Sequence, residues 1–131
     1  KWLRLKLNKK CLSFFMSISV IVIRVFKMVA YIIVRSNVPD TDIKNFDNWY
    51  ETEHLDDALN GFSAVSASRG WSVDNPNSHI AIYEFQNLTD AKGILESNAL
   101  KRLMDEFDLR WDGKIVRTRE VVEVVQQLKN N

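Results

Sequence analysis

Asp47-Asn-Trp-Tyr-Glu-Thr-Glu-His-Leu-Asp-Asp57, closed by Asn60-Gly61-Phe62, decides how the rest of the chain is read. The stretch has the period of one amphipathic helix. At about 100° per residue, Ile43, Phe46, Tyr50 and His54 fall on one stripe, with Trp49 at its edge. Asp47, Glu51 and Asp57 lie away from the centre of that stripe. A helix that places a His on its apolar face, beside a Tyr and a Trp, either packs an awkward side chain or lines a pocket.

The flanks give the helix its context. Before it, Val29-Ala-Tyr-Ile-Ile-Val-Arg-Ser36 is a β-branched apolar run that reads as a central strand. Pro39 excludes helix just before the cap, and Asp40, Thr41 or Asp42 is expected to be the N-cap of the helix. The helix is expected to run to about Asn60, with Gly61 in a left-handed C-cap position. After it, Phe62 to Asp74 is a second strand with unlike faces. Val65, Ala67, Arg69, Trp71 and Val73 lie on one; Ala64, Ser66, Ser68, Gly70 and Ser72 lie on the other. The small-residue face leaves room for a ligand or for a partner's side chains, or it is a hydroxyl-rich solvent face. Turn formers at Asp74-Asn-Pro-Asn-Ser78 lead into His79-Ile-Ala-Ile-Tyr-Glu-Phe85, a third strand pairing with the second as a hairpin.

Thr89 is expected to cap a second helix from Asp90 to about Glu96, and Ser97-Asn98 to interrupt and restart it. Leu100, Leu103, Met104, Phe107 and Trp111 recur at helical spacing, and Gly113 ends the helix. Lys114 to Val125 reads as a fourth strand, and Gln126 to Asn131 as a polar tail. The order β-α-β-β-α-β predicts an α+β, ferredoxin-like fold: a four-stranded antiparallel sheet with two helices on one face. The uncovered face keeps apolar residues and is expected to meet a second copy, giving a homodimer whose two sheets face each other.

Composition narrows function by exclusion. The chain has 131 residues, 46% hydrophobic and 27% charged, enough for one globular domain without disulfides. Its one cysteine, Cys11, excludes an intramolecular disulfide, and with His54 and His79 as its histidines a zinc site is not expected. Residues 1–27 hold seven Lys/Arg and no acid, so the remainder sets eleven basic residues against all 17 acids. An acidic domain is a poor match for a phosphate backbone, so no nucleic-acid partner is expected. Cys11 to Ile23 is an apolar run of 13 residues, short for a membrane span, behind the basic Lys1 to Lys10. It has the look of a secretory signal without a cleavage site. Residues 1–27 are read as an extension, with Met28 as the expected natural start of a cytoplasmic domain over 28–131. A membrane-surface segment is the alternative. Scattered glycines exclude a phosphate loop.

The residues then carry a resemblance. A first strand, the helix segment Asn48-Trp49-Tyr50, Glu53-His54-Leu55, Gly61-Phe62, and a hairpin ending in Ala81-Ile-Tyr-Glu-Phe85 are similar to the dimeric α/β-barrel superfamily. Within it, the pattern W-Y-x-x-E-H-x-P of EthD-like proteins is matched at Trp49, Tyr50, Glu53 and His54. It departs at Asp56, where those proteins usually have Pro. The resemblance covers about residues 28–125. It implies a dimer whose relatives include heme-degrading and quinone-forming monooxygenases, polyketide cyclases, decarboxylases and proteins without a known reaction. Most catalytic members work without metal or flavin, so no cofactor is expected. The heme-degrading branch uses a His on its second helix, and Asp90 to Asp112 contains none.

On that footing His54 is the candidate acid/base, its ordinary pKa near 6.5 suiting proton transfer. Tyr50, one turn earlier, can face the same space. Trp49, Tyr83, Ser66 and Ser68 are the candidate binding residues for an aromatic or polyketide-like molecule. His79 is expected to be exposed, Trp71 and Trp111 to be core, and Arg117 and Arg119 to pair at the surface or meet an acidic ligand. The alternative to an enzyme is a non-catalytic dimeric module that binds a small hydrophobic metabolite.

Overall fold

A computed structural model describes residues 28–131; the reading of residues 1–27 lies outside the described residues. The strands are β1 (Ala30–Asn37), β2 (Ser66–Trp71), β3 (Ser78–Phe85) and β4 (Val116–Glu123). They form one antiparallel sheet in the order β2-β3-β1-β4. Helix α1 (Ile43–Trp49) runs through a π-helical turn (Tyr50–His54) into α2 (Leu55–Phe62); α3 (Leu88–Leu95) and α4 (Asn98–Trp111) follow β3. The helices of the described residues lie on one sheet face. This is the ferredoxin-like arrangement expected from the order of apolar patterns.

Period-2 alternation sets the two faces of the sheet. Ala30, Ile32, His79, Ala81, Tyr83 and Phe85 are buried beneath the helices. The cross-strand register places Ser36 opposite His79 and Arg117, and Val34 opposite Ala81 and Arg119, on that same face. Helix side chains Phe46, Tyr50, Ala58, Leu103, Phe107 and Trp111 close the core from above. Phe46 is its hub, with ring centroids 5.1 Å from Tyr50, 5.1 Å from His79 and 5.2 Å from Trp111. The opposite face presents Tyr31, Ile33, Ile80, Ile82 and Val122, partly buried, with no helix of the described residues over them.

Several local expectations are corrected. None of the Asp40–Asp42 side chains caps α1; a 3-10 turn precedes it. Asp40 instead accepts a 2.7 Å bond from Asn77 Nδ2, tying the helix start to the β2–β3 hairpin. Gly61 is helical, and the left-handed residue is Ser63 at φ 50°. The extra residues bring Phe62 edge-on to Tyr83, centroids 5.2 Å apart, which ties α2 to the sheet. Asn87, not Thr89, caps α3, its Oδ1 accepting from the Asp90 N–H at 2.8 Å. Ser97 caps α4 as expected, with 3.1 Å from the Leu100 N–H. Gly113, at φ 68°, follows the left-handed Asp112 and turns the chain into β4.

Candidate functional site

The π turn shapes the site. The N–H of Leu55 donates to the carbonyl of Tyr50, five residues back. In a regular α-helix residues five apart point about 140° away from each other, at 100° per residue. The wider turn removes much of that difference and brings Trp49 over His54: the rings stack, 4.3 Å between centroids and 22° between planes. Tyr50 meets the edge of the same imidazole at 4.7 Å. Turns of this kind recur at functional sites. Nothing in the side-chain spacing foretold it, so the sequence placed Trp49 merely at the edge of the stripe.

His54 is 7% exposed and lines a cleft between the helices and the sheet. The walls are Ile32, Val34, Phe62, Leu100, Leu103, Met104 and Phe107; the polar groups are Tyr50, Tyr83, His54, Arg117 and Arg119. The cleft encloses about 30 Å³, room for a water or two. Met104, flexible at three bonds, is one of its wall side chains.

The electrostatics follow from burial. Desolvation, with Arg117 and His79 adding to it, lowers His54 to about 4. The ring is therefore neutral at pH 7, a hydrogen-bond and proton acceptor rather than an acid. Burial raises Tyr50 to about 12 and pushes Tyr83 well above the ordinary phenol value. Both phenols stay protonated; Tyr83 donates to Tyr50, which leaves the Tyr50 O–H to donate onward. Arg117, half-buried and drawn down by desolvation, lies 3.8 Å over the Phe107 ring and pairs with Asp108 at 3.2 Å. It is part of the cleft, not a surface cation. Among the described residues Arg119 has no ion-pair partner.

The structure thus brings His54, Tyr50 and Tyr83 together. Trp49 backs His54 from outside the cleft rather than lining it. Ser66 and Ser68 are not part of this arrangement. They lie exposed on the opposite sheet face, because β2 turns Ala67, Arg69 and Trp71 toward the helices. The parity read from the sequence is right; the face that holds the cleft is the other one.

His79 corrects a second expectation. It is 0% exposed, and neither ring nitrogen has a hydrogen-bond partner among the described residues. It shares its strand parity with Ala81, Tyr83 and Phe85, which are buried with it. Desolvation first, then Arg69, lowers it to about 4 against an opposing pull from Asp47. Asp47, on the flank of α1, accepts from Arg69 at 2.7 Å and from Trp71 Nε1 at 2.8 Å. Those bonds anchor the helix over β2, hold Trp71 half-buried and lower the Asp47 carboxyl. Arg69 in turn lies 5.9 Å over the Tyr50 ring. Among the described residues no group of three His, Cys, Asp or Glu side chains is placed to hold a metal ion. Nor is any helix there long and apolar enough to cross a membrane.

No protein-family model matches the chain, and no curated protein matches it in sequence. Solved structures share its fold. An ethyl tert-butyl ether D (EthD) family protein from Bacillus halodurans superposes with a TM-score of 0.59 at 14% identity, over 74% of this chain and 99% of that one. A NIPSNAP family protein of unknown function from Agrobacterium tumefaciens gives 0.57 at 17% identity, over 76% and 90%. SnoaB, a cofactor-independent oxygenase from Streptomyces nogalater, gives 0.55 at 12% identity, over 78% and 98%. At these identities the likeness is one of fold, and the chain has the ferredoxin-like fold of EthD, NIPSNAP and monooxygenase-like proteins.

Proposed function

We propose that this is a cofactor-independent protein acting on an aromatic or polyketide-like small molecule, with His54 as the proton acceptor. The observation that carries the reading is a neutral imidazole facing an apolar cleft beside two protonated phenols. An acidic C–H or O–H on the guest gives its proton to His54. Tyr50, itself receiving a hydrogen bond from Tyr83, donates to the oxygen on which negative charge gathers. SnoaB, of like fold, is described as a cofactor-independent oxygenase, which makes such chemistry feasible on this scaffold.

The protein acts as a homodimer in this reading. Tyr31, Ile33, Ile80, Ile82 and Val122 form an apolar sheet face that a second copy would cover. Ser68 and Gly70 beside Ile80 and Ile82 leave a groove of about 290 Å³ for the partner's side chains. A cytoplasmic setting belongs to the same proposal.

A second reading, a non-catalytic binding or accessory module, is favoured by one observation. A His held at about 4 is a weak base for work at neutral pH. Anthrone, whose C10–H is acidic, separates the two. In anaerobic D₂O the wild-type protein should speed C10–H exchange by about 10²-fold or more, and His54→Gln should lose this while still binding. Binding without exchange in the wild type supports the accessory module and overturns the enzyme.

A further inference from the structure

The charges of the cleft do not balance. Arg117 and Arg119 stand two residues apart on one strand face and both reach the cleft wall. Asp108 serves Arg117 from the outside, with two thirds of its side chain in solvent. His54 is neutral, and so are Tyr50 and Tyr83. The space therefore keeps one cation in excess, and that cation is Arg119, without an ion-pair partner among the described residues. A half-buried guanidinium set beside a second one, against apolar walls, is an incomplete arrangement. One anionic oxygen pair completes it, and guanidinium matches carboxylate in a planar, two-bond fork.

We propose that the guest of this cleft is an apolar molecule bearing one carboxylate, received by Arg119 while Arg117 stays paired with Asp108. The proposal rests on the cleft being the binding site described above. The apolar body lies along Val34, Met104 and Phe107, and Met104 swings aside to admit it. The neighbouring Arg117 discourages protonation of His54, so a carboxylate bound in the same cleft supplies the opposite charge and lifts the His54 pKa.

Calorimetric titration of the full chain with 2-naphthoate and with its neutral analogue 2-naphthamide tests this. The naphthoate should bind about tenfold tighter or more, and its advantage should shrink with added salt. Arg119→Gln should weaken naphthoate far more than naphthamide and so remove the advantage. Arg119→Lys should restore part of it, since the charge returns without the fork. Equal affinity of the wild type for the two compounds overturns the carboxylate assignment and leaves the cleft standing. So does a naphthoate preference that survives in Arg119→Gln. Failure of both compounds to bind overturns the cleft as binding site as well.

Discussion

Two buried imidazoles make the stability of this fold depend on pH in a defined window. His54 and His79 titrate at about 4 in the folded protein, against an ordinary 6.5. A depressed folded pKa means that the unfolded chain takes up protons first. The stability each ring contributes is fully present above about pH 6.5 and is lost as pH falls toward 4. At pH 5 the loss amounts to about 2 kcal/mol per ring by proton linkage, about 4 kcal/mol for the pair. That is a large share of the roughly 5–15 kcal/mol typical of a folded domain. Urea unfolding at fixed protomer concentration, at pH 8 and pH 5, measures it directly. The midpoint should fall steeply between the two while the slope with denaturant stays constant. Asp47 adds its own loss only lower, below the ordinary carboxylate range, since its pKa is lowered. Stability equal within 1 kcal/mol at pH 8 and pH 5 would refute the burial argument for both rings.

Single contacts give further expected outcomes. Asp47→Ala removes the acceptor shared by Arg69 and Trp71, and should cost about 1–2 kcal/mol, seen as a lower Tm. Ser97→Ala removes the cap of α4 and should cost about 1 kcal/mol in urea unfolding. Ile82→Arg puts a charge in the middle of the open sheet face. It should shift the protein from dimer to monomer in sedimentation without loss of helical circular dichroism; an unchanged dimer would remove that face from the interface.

Much of the fold was legible because alternation and helical spacing are local. The runs at β1 and β3 and the stripe of Leu100, Leu103, Phe107 and Trp111 each carry their period in adjacent residues. The π turn was not legible, because a bond from Leu55 to Tyr50 leaves no trace in residue type. Trp49 therefore moved from the edge of a stripe to the back of His54. His79 begins a strand apolar on both parities, so alternation did not say which face the helices cover. The same ambiguity left open whether Ser66 and Ser68 meet a ligand, a partner or solvent; they lie on the face away from the cleft. Arg117 shows why charge alone misleads. Phe107 and Asp108, close to it in space and nine or ten residues away in sequence, make it a wall of the cleft.

The central claim is that His54 is a neutral acceptor inside a binding cleft. Nitrogen-15 NMR of the two imidazoles in the full chain, titrated in pH and then with 2-naphthoate, tests it most directly, with His79→Gln assigning the signals. The account predicts that His54 stays neutral down to about pH 4 and that the ligand perturbs its signal and raises its pKa. An imidazole titrating near 6.5 and unmoved by ligand would contradict it.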